Sequence, residues 1–207
     1  SYGLIGFFVT TQILLQLLDL GLSSTLNREV ARHKASGDMQ EARNLLHSLA
    51  VVYWVMAIVI ALIVFTLAPY IAKYWLQPEG LSQSKVINAL MLMGLTIACR
   101  FPGGLYSGAL LGLQKMALLS SYTSIVATIS SLGVICVLAF ISPTIEAFFI
   151  WQASVAIMSV IVLRLITWRE MKDIDKVSKF SRESLLRIWR FSAGMTAVAA
   201  AGIVLMQ

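Results

Sequence analysis

The chain has 207 residues, of which 58% are apolar and only 13% charged, with a formal net charge of +6. Soluble domains run at about 45–50% apolar and about 25% charged. This composition excludes an ordinary water-soluble globule, which would be left with large exposed apolar patches. The apolar residues come in blocks of about twenty with the charges gathered between them, the pattern of bilayer-crossing helices.

The first block, Tyr2–Leu22, has no initiator Met and no basic leader, so it reads as a membrane helix rather than a signal peptide. Gln12, Gln16, Asp19 and Ser23 recur on one helical face of it. That stripe is costly against lipid and is expected to face either a wet cavity or protein, where interhelical hydrogen bonds are worth roughly 0.6–2 kcal/mol each. The basic segment 23–44 carries Arg28, Arg32, Lys34 and Arg43, and is expected to hold a short amphipathic helix lying on the membrane. The second block, Leu45–Leu67, is followed by Tyr70, Tyr74 and Trp75, which read as interfacial anchors.

The third block, Val86–Leu111, contains the sharpest signal. Arg100 falls near its centre, where a charge costs at least about 2.5–3.5 kcal/mol unless it is paired or hydrated. Pro102, Gly103 and Gly104 follow at once, removing a backbone donor and adding flexible positions, so a kinked or broken helix is expected. A disrupted helix beside a buried charge is how transporters build binding sites at the midplane. The alternative is an Arg neutralised by carbonyls freed at the kink. Gly104, Gly108 and Gly112 then repeat every four residues, as do Ser120, Ser124 and Thr128 in the fourth block, Ala117–Phe140. Both rows are expected to be close-packing surfaces.

The fifth block is Ala147–Leu165, with Trp168 as its inner anchor, and a sixth begins near Phe191 and runs to the end of the sequence. Both ends look cut, so the chain is expected to be a piece of a longer protein. Cys99 and Cys136 lie inside apolar blocks and read as packing residues. His33 and His47 are expected to be solvated or interfacial, with no metal site and no cofactor suggested.

Loop charges orient the helices. Segments 23–44, 112–116 and 164–190 carry four, one and eight Lys or Arg residues, against two and none in the loops that alternate with them. The positive-inside rule places loops 23–44, 112–116 and 166–190 in the cytoplasm. The expected fold is all-α, a polytopic transmembrane helical bundle of about six helices. The basic loops are explained by topology, so they do not point to nucleic acid. Enzyme signatures are wanting: there is no phosphate-binding loop, the serine between Gly104 and Gly108 sits one place too late for a nucleophile elbow, and no nucleotide-sugar domain surrounds Asp173 and Asp175. The chain is therefore not expected to be an enzyme.

The stretch YGLIGFF (residues 2–8) through LDLGLSSTLNREVAR (residues 18–32) resembles the bacterial polysaccharide (O-antigen type) flippases, of the multidrug/oligosaccharidyl-lipid/polysaccharide exporter superfamily. RFSAGM (residues 190–195) is similar to the entry of that family's seventh helix, and Arg100 to Gly104 falls where its fourth helix would be. The resemblance implies a 12–14-helix, two-lobe secondary transporter. Residues 1–168 would then be most of the N-terminal six-helix lobe without its first helix, 169–190 a basic cytoplasmic inter-lobe loop, and 191–207 the start of the second lobe. It also implies a bacterial plasma (inner) membrane location and an undecaprenyl-diphosphate-linked oligosaccharide as substrate. The other partners implied are membrane lipids and the polysaccharide polymerase machinery. On residue chemistry and depth, Arg100 would bind the diphosphate, Gln12 and Gln16 would line the cavity, and Asn27 and Arg28 would meet the headgroup at the inner mouth. Asp19 is the candidate for ion coupling. A small-molecule exporter of the same superfamily, or a membrane-embedded polymerase or glycosyltransferase of the same pathway, is the competing reading.

Overall fold

The computed structural model describes residues 21–74 and 83–171. Gln12, Gln16, Asp19, the first block before Gly21 and the whole of the sixth lie outside the described residues. Those described form five α-helices and no strand: α1 (Leu22–Ser36), α2 (Met39–Tyr74), α3 (Gln83–Gly112), α4 (Met116–Cys136, ending in a π turn over Val137–Ile141) and α5 (Ile145–Glu170). α2 to α5 are each long and apolar enough to cross a membrane. They match the second to fifth blocks and overrun most of their edges, because a helix need not stop where its apolar stretch does. The chain is an all-α, polytopic membrane protein.

α3 organises the bundle. Half of its spanning window is buried inside the protein, against none of α4's, and α1, α2 and α5 all pack against it. Two apolar cores form along its length. One gathers Leu26, Leu46, Tyr53, Leu105, Leu110 and Leu163; the other gathers Ala72, Val86, Leu90, Met93, Ile97 and Phe149. On α3 the second core ends at Ile97 and the first resumes at Leu105, so Arg100 stands in the interval between them.

α1 is the short amphipathic helix expected in the 23–44 segment, and its apolar face packs into the protein. Its stripe of Leu22, Leu26 and Val30 is buried in the core shared with α2 and α3. Two glycines admit it. A Cβ on Gly108 would stand 2.5 Å from the backbone oxygen of Ser23, and one on Gly112 the same distance from that of Asn27. Lys34 fastens the far end, its Nζ donating to the carbonyl of Leu113 at 2.7 Å, where the C-terminus of α3 leaves carbonyls unpaired. Gly37, at φ 77°, ends α1 in the left-handed turn that glycine adopts without steric cost, and Asp38 then accepts from the Glu41 N–H at the start of α2.

The glycine row thus packs as expected at Gly108 and Gly112, but Gly104 is exposed. The hydroxyl row differs among the described residues. Ser120, Ser124 and Thr128 are exposed on α4, and Thr128 donates to the carbonyl of Ser124 on its own helix. The Thr128 hydroxyl, satisfied within its own turn, needs no neighbouring helix, and the exposure of all three leaves this period without a seam among the described residues. His33 lies 4.0 Å from Glu29, and His47 sits edge-on to Trp168.

Candidate functional site at Arg100

α3 runs as an unbroken helix from Gln83 to Gly112 through Pro102. The broken-helix form of the expectation is therefore overturned. A single proline deletes one i→i−4 bond, and the packing of α1, α2 and α5 around α3 holds the helix across that gap. Pro102 is buried, and its neighbour Phe101 stacks on Tyr53 of α2 with ring centroids 5.0 Å apart. Gly103 has open space where a side chain would be, so its role is not to admit a neighbour.

Arg100 is half-buried, and its partner comes from α5. Nη2 donates to Oε1 of Gln152 at 2.9 Å, and the same oxygen accepts from the Ser130 hydroxyl of α4 at 3.2 Å. Three helices therefore meet at one amide oxygen. The Trp151 indole N–H donates to the backbone carbonyl of Ser130 at 3.2 Å, and the Tyr122 hydroxyl to that of Ser159 at 2.6 Å, which tie α4 to α5 on either side of the junction. Freed carbonyls at the proline, the structural alternative for Arg100, are not its partners here.

The charge on Arg100 is not neutralised within the described residues. The ion pairs there join Glu29 to Arg28, Arg32 and His33, and Glu170 to Lys115; none involves Arg100. One hydrogen bond to a charged group is worth about 1.5–3 kcal/mol. A mid-membrane arginine costs at least about 2.5–3.5 kcal/mol. The Gln152 contact is thus of the same order as that cost without removing the charge, and leaves a positive guanidinium with donors to spare for an anion. Beside it opens a cleft of about 420 Å³, lined by the hydroxyl-bearing Tyr122, Thr123, Ser130, Ser131 and Ser159 and by the apolar Val126, Ala127, Val155 and Ala156. Its hydroxyl-rich wall suits water or a polar ligand, and its volume lies within the range of small-molecule sites.

Asn27 and Arg28 are far from this point. Asn27 sits against Gly112, twelve residues along α3 from Arg100, which is about 18 Å at 1.5 Å per residue. Arg28 is mostly exposed, with Nη2 3.4 Å from Glu29. The structure therefore separates the sequence-derived candidates into two places and does not bring them together. Two residues escaped the sequence reading. Gln152 is a polar side chain within the fifth apolar block, and its amide was the available signal. Glu29, among basic neighbours, is a buried carboxylate, which only its place on the apolar stripe of α1 reveals.

A family model described as "Polysaccharide biosynthesis protein" matches residues 1–207, the whole chain. No curated protein and no solved structure matches it.

Proposed function

We propose, for a chain that belongs to the polysaccharide biosynthesis protein family, that it forms part of a secondary transporter. Its task is to flip a polyprenyl-diphosphate-linked oligosaccharide across the bacterial plasma membrane by alternating access. The observation that carries the reading is the guanidinium of Arg100, held at mid-helix by the uncharged Gln152 and open to a hydroxyl-lined cleft. A site built to hold a structural charge would place a carboxylate there. One built to receive an anion leaves the place vacant and fixes the guanidinium with a neutral acceptor.

A lipid-linked glycan has to carry a diphosphate and a polar sugar chain past an apolar slab. Arg100 supplies the charge-assisted, two-pronged hydrogen bonding that phosphate oxygens accept. The cleft hydroxyls offer exchangeable partners to sugar hydroxyls, and Asn27 and Arg28 meet the headgroup on the cytoplasmic side. Gln12 and Gln16 complete the polar wall in this reading, and Asp19 is its ion-coupling residue. The proposed transport involves no covalent chemistry on the substrate, so no catalytic residue is assigned.

The test is Arg100→Ala in the full-length protein, with export of the glycan measured at matched protein level. Export is expected to fall by at least 100-fold, and to recover in part with Arg100→Lys, which keeps the charge but not the fork. Wild-type export by the alanine variant would remove the central site.

A further inference from the structure

Most hydroxyl protons on the wall of the Arg100 cleft are already spent. A hydroxyl has one proton to donate and two lone pairs to accept with, whereas a carbonyl oxygen only accepts. The Tyr122 hydroxyl bonds the Ser159 carbonyl at 2.6 Å, that of Thr123 the Ser120 carbonyl at 3.0 Å, and that of Ser159 the Ala156 carbonyl at 2.9 Å. Each of these hydroxyls is therefore the donor. All three residues line the cleft, and what their hydroxyls have left for a ligand is lone pairs.

Ser130 reaches the same state by a longer route. Arg100 has donors only, so the amide of Gln152 must turn its oxygen, not its nitrogen, toward Nη2. Ser130 meets that same oxygen at 3.2 Å, and so it too must donate. The guanidinium on α3 thus sets the polarity of a hydroxyl on α4, with Gln152 of α5 as the positioning residue between them. Thr123 and Thr128 give their protons back to their own helix, the usual habit of such side chains, whereas Ser130 donates across. The Trp151 indole N–H, bonded to the Ser130 carbonyl, holds this turn of α4 against α5.

The cleft is therefore divided by polarity. Arg100 offers charged donors at one place, while Tyr122, Thr123, Ser130 and Ser159 offer acceptors. We infer that this wall is a filter for ligands that carry O–H donors beside a phosphate, with Ser130 reading the sugar next to the anion. The class of ligand is a glycosyl phosphate. This rests on the transport reading and deepens it, by naming the part of the lipid-linked glycan that the cleft reads. A bare phosphate meets lone pairs on the wall and attraction only at the guanidinium. Sugar hydroxyls bring the protons that the wall lacks, so discrimination comes from repulsion as well as from attraction. The phosphate is shared with bulk anionic phospholipid, and the experiment separates the two sources.

Calorimetry on the purified full-length protein compares glucose 1-phosphate with its deoxyfluoro analogues. In these, fluorine takes the place of one sugar hydroxyl at a time and removes the donor at nearly constant size. Inorganic phosphate and dihexanoyl phosphatidic acid carry the anion without the sugar. Glucose 1-phosphate is expected to bind about tenfold more tightly than either, and at least one fluoro analogue to lose about tenfold, as the loss of one hydrogen bond implies. Ser130→Ala should weaken glucose 1-phosphate by about the same factor and remove the sensitivity to fluorine at one position, with little change for inorganic phosphate. Ser130→Thr should restore both. A variant that had merely lost packing would weaken both ligands alike and keep the fluorine pattern. The wild-type comparison needs no substitution, so it decides the matter even if Ser130→Ala fails to fold. Equal binding of glucose 1-phosphate and all its fluoro analogues overturns the inference, and so does phosphatidic acid that binds as tightly as glucose 1-phosphate. Loss of phosphate binding in Arg100→Ala would still leave the anion site standing in either case. Conversely, fluorine sensitivity that persists in Arg100→Ala with unchanged phosphate affinity keeps the acceptor wall and removes the central anion site.

Discussion

Replacing Gln152 with Glu separates a structural arginine from a ligand-binding one. The new carboxylate would stand where the amide oxygen now accepts from Arg100, at 2.9 Å. At an effective dielectric constant of about 20, the gross attraction between unit charges at that distance is about 6 kcal/mol. Desolvating the carboxylate costs several kcal/mol in return, so folded stability should stay within about 2 kcal/mol of the wild type. Anion binding is affected far more. An arriving phosphate must displace an internal counter-ion, and losing even half of the gross attraction weakens its affinity on the order of 100-fold. Gln152→Leu makes the opposite trade: it removes a hydrogen bond worth about 1.5–3 kcal/mol but leaves the guanidinium positive. The two variants should therefore cross. The Glu variant is expected to be the more thermostable in detergent and the poorer exporter in cells, at matched protein level. Wild-type export by Gln152→Glu, or better export by Glu than by Leu, would refute the reasoning.

The glycines of α3 give a second, contrasting pair. Gly108→Ala places a methyl 2.5 Å from the Ser23 carbonyl oxygen, a backbone atom that cannot swing away. Overpacking of about 1–3 kcal/mol outweighs a helix-propensity gain of about 1 kcal/mol, so the melting temperature should fall. Gly103→Ala meets nothing within 4 Å and should stabilise by about 0.5–1 kcal/mol. Equal melting temperatures for the two would contradict the docking of α1 on α3.

Much of the fold is legible in the sequence because the bilayer imposes it. Apolar blocks of about twenty residues have few alternatives to helix in lipid, and four of the six marked blocks correspond to α2–α5. Periodicity is less informative about partners. Gly108 and Gly112 mark a close contact, but nothing local says that the partner is the backbone of Ser23 and Asn27, some 85 residues earlier. The equally regular Ser120, Ser124 and Thr128 are exposed among the described residues, and the Thr128 hydroxyl bonds to its own helix, which carries the same spacing without a neighbour. For the candidate site, Arg100 announces itself because a lone charge in an apolar run has no cheap explanation. Its acceptor does not, because Gln152 lies 52 residues away and only tertiary packing pairs them. Glu29 is hidden for a related reason: charge counts along a loop treat every residue as solvated, whereas the stripe of α1 buries this one.

The central claim is that the space beside Arg100 is a wet, substrate-occupied cavity. Ala127 is exposed and lines that cleft, so the most direct test is a full-length Ala127→Cys protein with Cys99 and Cys136 replaced. A membrane-impermeant thiol reagent should label it, and the lipid-linked glycan should slow that labelling at least tenfold without affecting a cysteine placed at Ser36. Complete protection of the Ala127→Cys thiol, in a protein whose Ser36→Cys control labels from the cytoplasmic side, would contradict the claim and leave Arg100 a packing element of the bundle.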